Sequence, residues 1–275
     1  MSSVTSTPAG QPMRGGAEWT PGRRALVIAG AAVIALTWLY LVLVRPTDWE
    51  NVTGSTQGII TLLGYGIGTI LLLIATVPVL PARTLGLIPI AMIINSVVGE
   101  IVGSIGLPLY LDSIGTVLVA ALAGPVAGMT TGALNNVVWG LLNPAALPFA
   151  AGAALIGYLS GEFIHRFHAF KNIGTVILYG LLLGLVGGMV AAPVAAFVYG
   201  GTAGVGTGAL VSLFREMGAS LIASVTTQAF ISDPVDKIIV MLVAFFTVKA
   251  LPKRTVDAFA PREGQGSAGA TAATV

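Results

Sequence analysis

The stretch LPLYLDSIGTVLVAALAGPVAGMTTGALNNVVWGLLNPAALPF, residues 107–149, decides the fold. It opens with a lone acid, Asp112, at the edge of an apolar run, and turns at Gly124-Pro125. Ala120, Gly124, Gly128 and Gly132 then recur four residues apart, which places small side chains on one helix face. The run closes on Asn135, Asn136, Trp139 and Asn143 before a second turn at Asn143-Pro144. A segment that only dissolves in hydrocarbon has no use for an acid and three asparagines, because polar groups at that depth need partners. The stretch therefore reads as two membrane helices, one short, that carry a polar-aromatic cluster toward a site.

The rest of the chain agrees with a lipid setting. It has 275 residues, 55% of them hydrophobic and 9% charged, with mean hydropathy +0.92. Soluble domains carry roughly 25% charged residues, so the fold class is an all-α integral membrane protein and one partner is the lipid bilayer. A formal net charge of +2 is too small to argue for nucleic acid. With no cysteine there is no disulfide, thiol nucleophile or thiolate metal site. His165 and His168 stand three apart in the basic stretch HRFHAFKN without further ligands nearby, and read as a solvated loop; no metal or cofactor is expected. Residues 1–24 are polar, and the apolar run that ends at Val44 is too long for a secretory core, so no cleavable signal is expected.

Working outward, the sequence predicts eight membrane segments, at about 24–44, 58–80, 85–106, 113–123, 125–142, 146–164, 173–199 and 234–251, with ends placed to within several residues. Residues 1–22 and 255–275 read as disordered cytoplasmic tails. A Gly-rich connection at 200–208 precedes an expected amphipathic surface helix at 209–229, with Leu210, Leu213, Phe214, Met217 and Leu221 on one side. Ten of the 13 basic residues fall on one side of this arrangement and only Arg45, Arg215 and Lys237 on the other. The excess of lysine and arginine marks the cytoplasmic side, so both termini are expected inside. Asp112, Asn143, Glu216 and Asp233 then fall at outer helix ends. The small-residue series on the fifth and seventh segments read either as glue for a compact bundle or as a groove for a partner helix.

The run LPLYLDSIGTVLVAALAGPVAG, with GALNNVVWGLLNP, LPFAAGAALIGYLSGEF and DPVDKIIVMLVAFFTVKALPKR at 233–254, resembles the substrate-binding subunit (S component) of energy-coupling factor (ECF) transporters. The resemblance covers about 86–254. It implies a six-helix S-component-like membrane domain over 85–254, with 23–84 as two additional N-terminal transmembrane helices. It also implies a membrane coupling (T) subunit and two ATPase subunits as partners, and a vitamin or related heterocyclic micronutrient as the small-molecule ligand. The chain holds no GxxxxGK[ST] motif, so any ATP use belongs to another subunit.

Seven residues are candidates for substrate binding. Asn135, Trp139 and Asn143 are spaced four apart on one expected helix face, with Asn136 beside them. Asparagine supplies donors and acceptors, and tryptophan a flat stacking wall, which together suit a heterocycle; the bland account is interhelical glue and an interfacial anchor. Asp112 either caps the fourth segment or meets the ligand. Glu100, inside the third segment, is expected to face the bundle, paired with Asn95, Arg215 or Lys237. Arg215 and Glu216 read as a solvated face or as part of a lid hinged at 200–208, with Gln228 and Asp233 at its edge.

Four functions compete. A binding subunit of an ATP-driven importer fits best. A membrane sensor that signals through a partner is the alternative, though no output domain is seen in the chain. An intramembrane enzyme is not expected, since HExxH and GxSxG are absent. A stand-alone secondary transporter calls for two related halves, and no repeat is found.

Overall fold

The computed structural model describes residues 19–46, 49, 52, 54–201 and 204–260. Most of the two expected tails, 1–18 and 261–275, lies outside the described residues, as do 202–203 of the Gly-rich connection. All regular structure among the described residues is helical.

Helix α1 (Pro21–Val44) starts on Thr20, whose hydroxyl accepts from Arg23 N, with proline at the first helical position. Helix α2 (Thr56–Thr76) is capped in the same way by Ser55. The two run antiparallel at close range: a Cβ on Gly64 would overlap the Thr37 side chain, and one on Gly68 would press on Ile34. Helix α3 (Ala82–Ser104) follows. Helix α4 (Ile114–Ala123) stops at Gly124, whose φ of +91° suits glycine, and Pro125 opens α5 (Pro125–Gly140). A 3-10 turn, Pro144–Phe149, leads into α6 (Ala150–His165). Helix α7 (Ile173–Val198) begins with a reciprocal cap between Asn172 and Thr175. Helices α8 (Val205–Glu216), α9 (Leu221–Ala250) and the short α10 (Lys253–Asp257) complete the chain.

Five helical units are long and apolar enough to cross a membrane: α1, α2, α3, Pro144–His165 and α7. Their outward faces carry exposed aliphatic side chains such as Ile28, Leu36, Ile67, Ile70, Ile93 and Ile101. Water-soluble monomers do not leave belts of this kind uncovered, so the chain is a helical, multi-pass membrane protein. The other three expected segments differ in kind. At ten residues, α4 reaches about 15 Å, half of a hydrocarbon core of about 30 Å. At 16 residues α5 is also short, and α9 buries two aspartates and a lysine in its middle.

Several expectations are corrected. The surface helix expected at 209–229 is two helices, broken at Gly218 with φ +92°. The last segment begins at Leu221 rather than near 234. Asp233-Pro234 resembles a helix start, but α9 continues through it, because Pro234 packs into the gap left by Gly184 of α7. Part of the Gly-rich connection is helical: Gly206 lies in α8, where a Cβ would overlap the backbone at Gly106 and Leu107. The small-residue ridges find their partners inside the chain. Gly128 and Gly132 of α5 meet the backbone at Gly157 and Ala153 of α6, while Gly180 and Gly184 of α7 meet α9 at Ile238 and Pro234. His165 is the last residue of α6, not a free loop residue, and its Nε2 lies 3.0 Å from the Ala120 carbonyl oxygen.

The first two helices share a core with the others: Ile34, Leu41, Tyr65 and Leu72 cluster with Met129, Ala150 and Val194. Tyr65 Oη donates to the Pro148 carbonyl (3.2 Å), and Trp49 Nε1 to that of Pro144 (2.9 Å). Thr84 Oγ1, at the start of α3, donates to the Phe259 carbonyl (2.6 Å). That contact sets the end of the described chain beside the end of the bundle where α1 starts.

Candidate functional site

The last turns of α5 carry the polar cluster. Asn136 Nδ2 donates to the Ala146 carbonyl (2.9 Å), tying α5 to the 3-10 turn. Asn135 Nδ2 donates to Asn136 Oδ1 (3.3 Å), but Asn135 Oδ1 is buried and takes no hydrogen bond. Asn143 is not on the α5 face, since the helix ends at Gly140. It caps the 3-10 turn, accepting from Ala145 N (3.2 Å), and donates from Nδ2 to Glu100 Oε1 (3.4 Å). The partner of Glu100 is therefore Asn143 rather than Asn95, Arg215 or Lys237. Asn95 instead accepts from Gly115 N (2.7 Å) and donates to Thr116 Oγ1 (2.8 Å), clamping the first turn of α4 to α3.

On the opposite wall, α9 presents Asp233, Asp236 and Lys237 at helical spacing. Asp236 is fully buried. Its Oδ1 accepts from Tyr110 N (2.8 Å) and Leu111 N (2.7 Å), and its Oδ2 lies 2.6 Å from Lys237 Nζ. These bonds hold the 107–113 loop on α9 at Leu111, whose φ is +50°. Asp112 does not cap α4: the cap position is Ser113, without a side-chain bond. The Asp112 carboxylate sits 3.8 Å from Lys237 Nζ, with 53% of its side chain exposed.

Between these walls lies a cavity of about 230 Å³. It draws on α3, the 107–113 loop, α5, the 3-10 turn, α6, α7 and α9, and on Trp38 of α1. Small residues make the room: Gly152 and Ala153 on α6, Gly187 and Ala191 on α7. The structure brings Glu100, Asp112, Asn135, Asn136, Trp139 and Asn143 together on its lining. Arg215 is not there. It is exposed in the last turn of α8, and no α8 residue lines the cavity. Gln228 and Asp233 line it from α9, without α8 above them. A shallow apolar fissure between α3 and α5 shares Ser96, Glu100, Asn135 and Trp139 with the cavity, so these side chains stand between it and the lipid-facing surface.

Sequence reading missed Trp38 as a wall residue, and Asp236 altogether. Trp38 is held by its Nε1, which donates to the Val190 carbonyl on α7 (3.0 Å); nothing local signals that. Asp236 had a signal, the DxxDK spacing inside an apolar helix, which places two acids and a lysine on one face.

Three buried polar atoms on lining residues take no partner among the described residues: Ser113 Oγ, Asn135 Oδ1 and Gln228 Nε2. Buried polar groups in proteins are nearly always satisfied, so three unpartnered ones around a single cavity call for an explanation, and a bound molecule or water is one. The arrangement offers an aromatic wall, amide donors and acceptors, and carboxylates, in a space closed by small side chains. No protein-family model matches the chain, and neither does any curated protein or solved structure.

Proposed function

We propose that the chain is the substrate-specific binding subunit of an ATP-driven importer of the energy-coupling factor type, taking up a vitamin or related heterocyclic micronutrient. In this reading α3 to α9 form the S-component-like bundle, and α1 and α2 are additions, of which α1 lends Trp38 to the cavity wall. Both termini are cytoplasmic and the cavity opens outward. A membrane coupling subunit and two ATPase subunits supply the energy. The observation that carries the reading is the cavity itself, walled by Trp38 and Trp139 and edged by unpartnered amide atoms. Ligand pockets combine a mostly apolar wall with a few convergent polar groups, and this one does so inside a membrane bundle.

The test is native mass spectrometry of the full chain extracted from its own membranes, read for a copurified small molecule. Trp139→Ala and Gly152→Val should both lose that molecule while staying monodisperse. A Cβ at Gly152 meets only Val190, at 3.9 Å, and Gly152 lines the cavity, so the larger side chain starts into that space without a backbone overlap. Retention of the same molecule by both variants would remove the cavity from the account.

A further inference from the structure

Four side chains with formal charge line the cavity: Glu100, Asp112, Asp233 and Lys237. The lysine is already matched. Its Nζ lies 2.6 Å from the buried Asp236 carboxylate and makes a looser ion pair with Asp112 at 3.8 Å, so a single ammonium is divided among several acids. Three carboxylates are left facing the space. Glu100 is exposed at the rim and held by Asn143. Asp233 is 5% exposed and takes no hydrogen bond among the described residues; it feels Lys237 most strongly among its charged neighbours, with Asp236 and Asp112 opposing. Of the three only Asp233 is buried, and an acid buried in a membrane bundle needs a positive partner; Lys237 is shared with Asp236 and Asp112, and no arginine or second lysine lines the cavity.

Two further side chains point to an occupant independently of the acids. Gln228, 4% exposed, and Asn135, 7% exposed, line the same space with Nε2 and Oδ1 unpartnered. A bare metal ion does not fit, because among the described residues no three acids or histidines converge closely enough to hold one. Trp139 and Trp38 line the same space, and indole rings attract organic cations.

We infer that the cavity selects a small, flat organic cation, with its positive centre at Asp112 and Asp233 and its ring against Trp139. The assignment rests on the reading of the cavity as a substrate site and adds the charge of the substrate. Lys237 and Asp236 form the fixed pair that keeps Asp112 and Asp233 in place, and the cation supplies the charge they lack.

The test uses three probes of nearly one shape and three charges: 1-methylnicotinamide as the cation, nicotinamide as the neutral form and nicotinate as the anion. The purified full chain in lipid nanodiscs is titrated with each, reading quenching of its tryptophan fluorescence. The cation should bind about tenfold or more tightly than nicotinamide, with nicotinate weakest. Asp233→Asn and Asp112→Asn should each narrow the gap between cation and neutral form, weakening the cation more than nicotinamide. Equal binding of cation and neutral probe, lost in Trp139→Ala, overturns the charge assignment and leaves the substrate site standing. Tighter binding of nicotinate does the same. Absence of binding by all three overturns both.

Discussion

Asp233 and Asp236 lie one turn apart on α9 and do opposite things. Asp236 is satisfied on both oxygens, by two loop amides and by Lys237, while Asp233 has no hydrogen bond. Replacing Asp236 with alanine leaves two N–H groups without partners and a buried ammonium with only the 3.8 Å contact to Asp112. That loss is expected to destabilise the fold by roughly 3–5 kcal/mol, read as a lowered thermal unfolding midpoint. Asp236→Asn keeps an acceptor for the two amides and should lose less. If Asp236→Ala melts with the wild type, the aspartate does not hold the loop. At this scale the sequence was legible wherever a polar residue stood out against apolar neighbours, as Asn135, Asn136 and Trp139 do. It was less legible where the partner was remote. Glu100 and Asn143 are 43 positions apart, and nothing local to either selects the other.

Glycine means different things on different helices, and the contrast can be measured. Gly66 in α2 has open space where a Cβ would stand, whereas a Cβ on Gly128 in α5 would overlap the Gly157 carbonyl. Gly66→Ala should therefore stabilise by about 0.5–1 kcal/mol through helix propensity alone. Gly128→Ala should destabilise by about 1–3 kcal/mol, because α5 and α6 must separate. Thermal unfolding in detergent reads both; a Gly128→Ala variant as stable as the parent would show that the two helices need not touch there. The four-residue glycine spacing was legible as a packing ridge, but spacing cannot say which helix fills it. Here α6 and α9 do, so any surface for a coupling subunit lies elsewhere than on the α5 and α7 ridges. The same limit explains α9. Asp-Pro carries a local start signal, and only contact with α7 at Gly184 reveals that the helix runs through.

For the molecule as a whole, the proposed uptake role depends on which end of the bundle faces out. The cavity draws on the 107–113 loop, Asn143 and the 3-10 turn, all at one end of the bundle. Arg83, Arg166, Lys171 and Lys249 lie at the other, beside the helix ends at Ala82, His165, Ile173 and Ala250. Helical apolarity made the membrane class legible, and counting spans put both termini together. It could not show that α1 lends Trp38 to the cavity, held there by a bond spanning 152 residues. The lack of cysteine makes orientation directly testable. Met217 is 75% exposed after α8, near the cavity end, and the Arg166 side chain is 75% exposed at the opposite end. Basic residues are retained on the cytoplasmic side. Met217→Cys should thus react with a membrane-impermeant maleimide in intact cells, and Arg166→Cys only after the membrane is opened. The reverse pattern would turn the cavity toward the cytoplasm, where it could not capture a nutrient from outside.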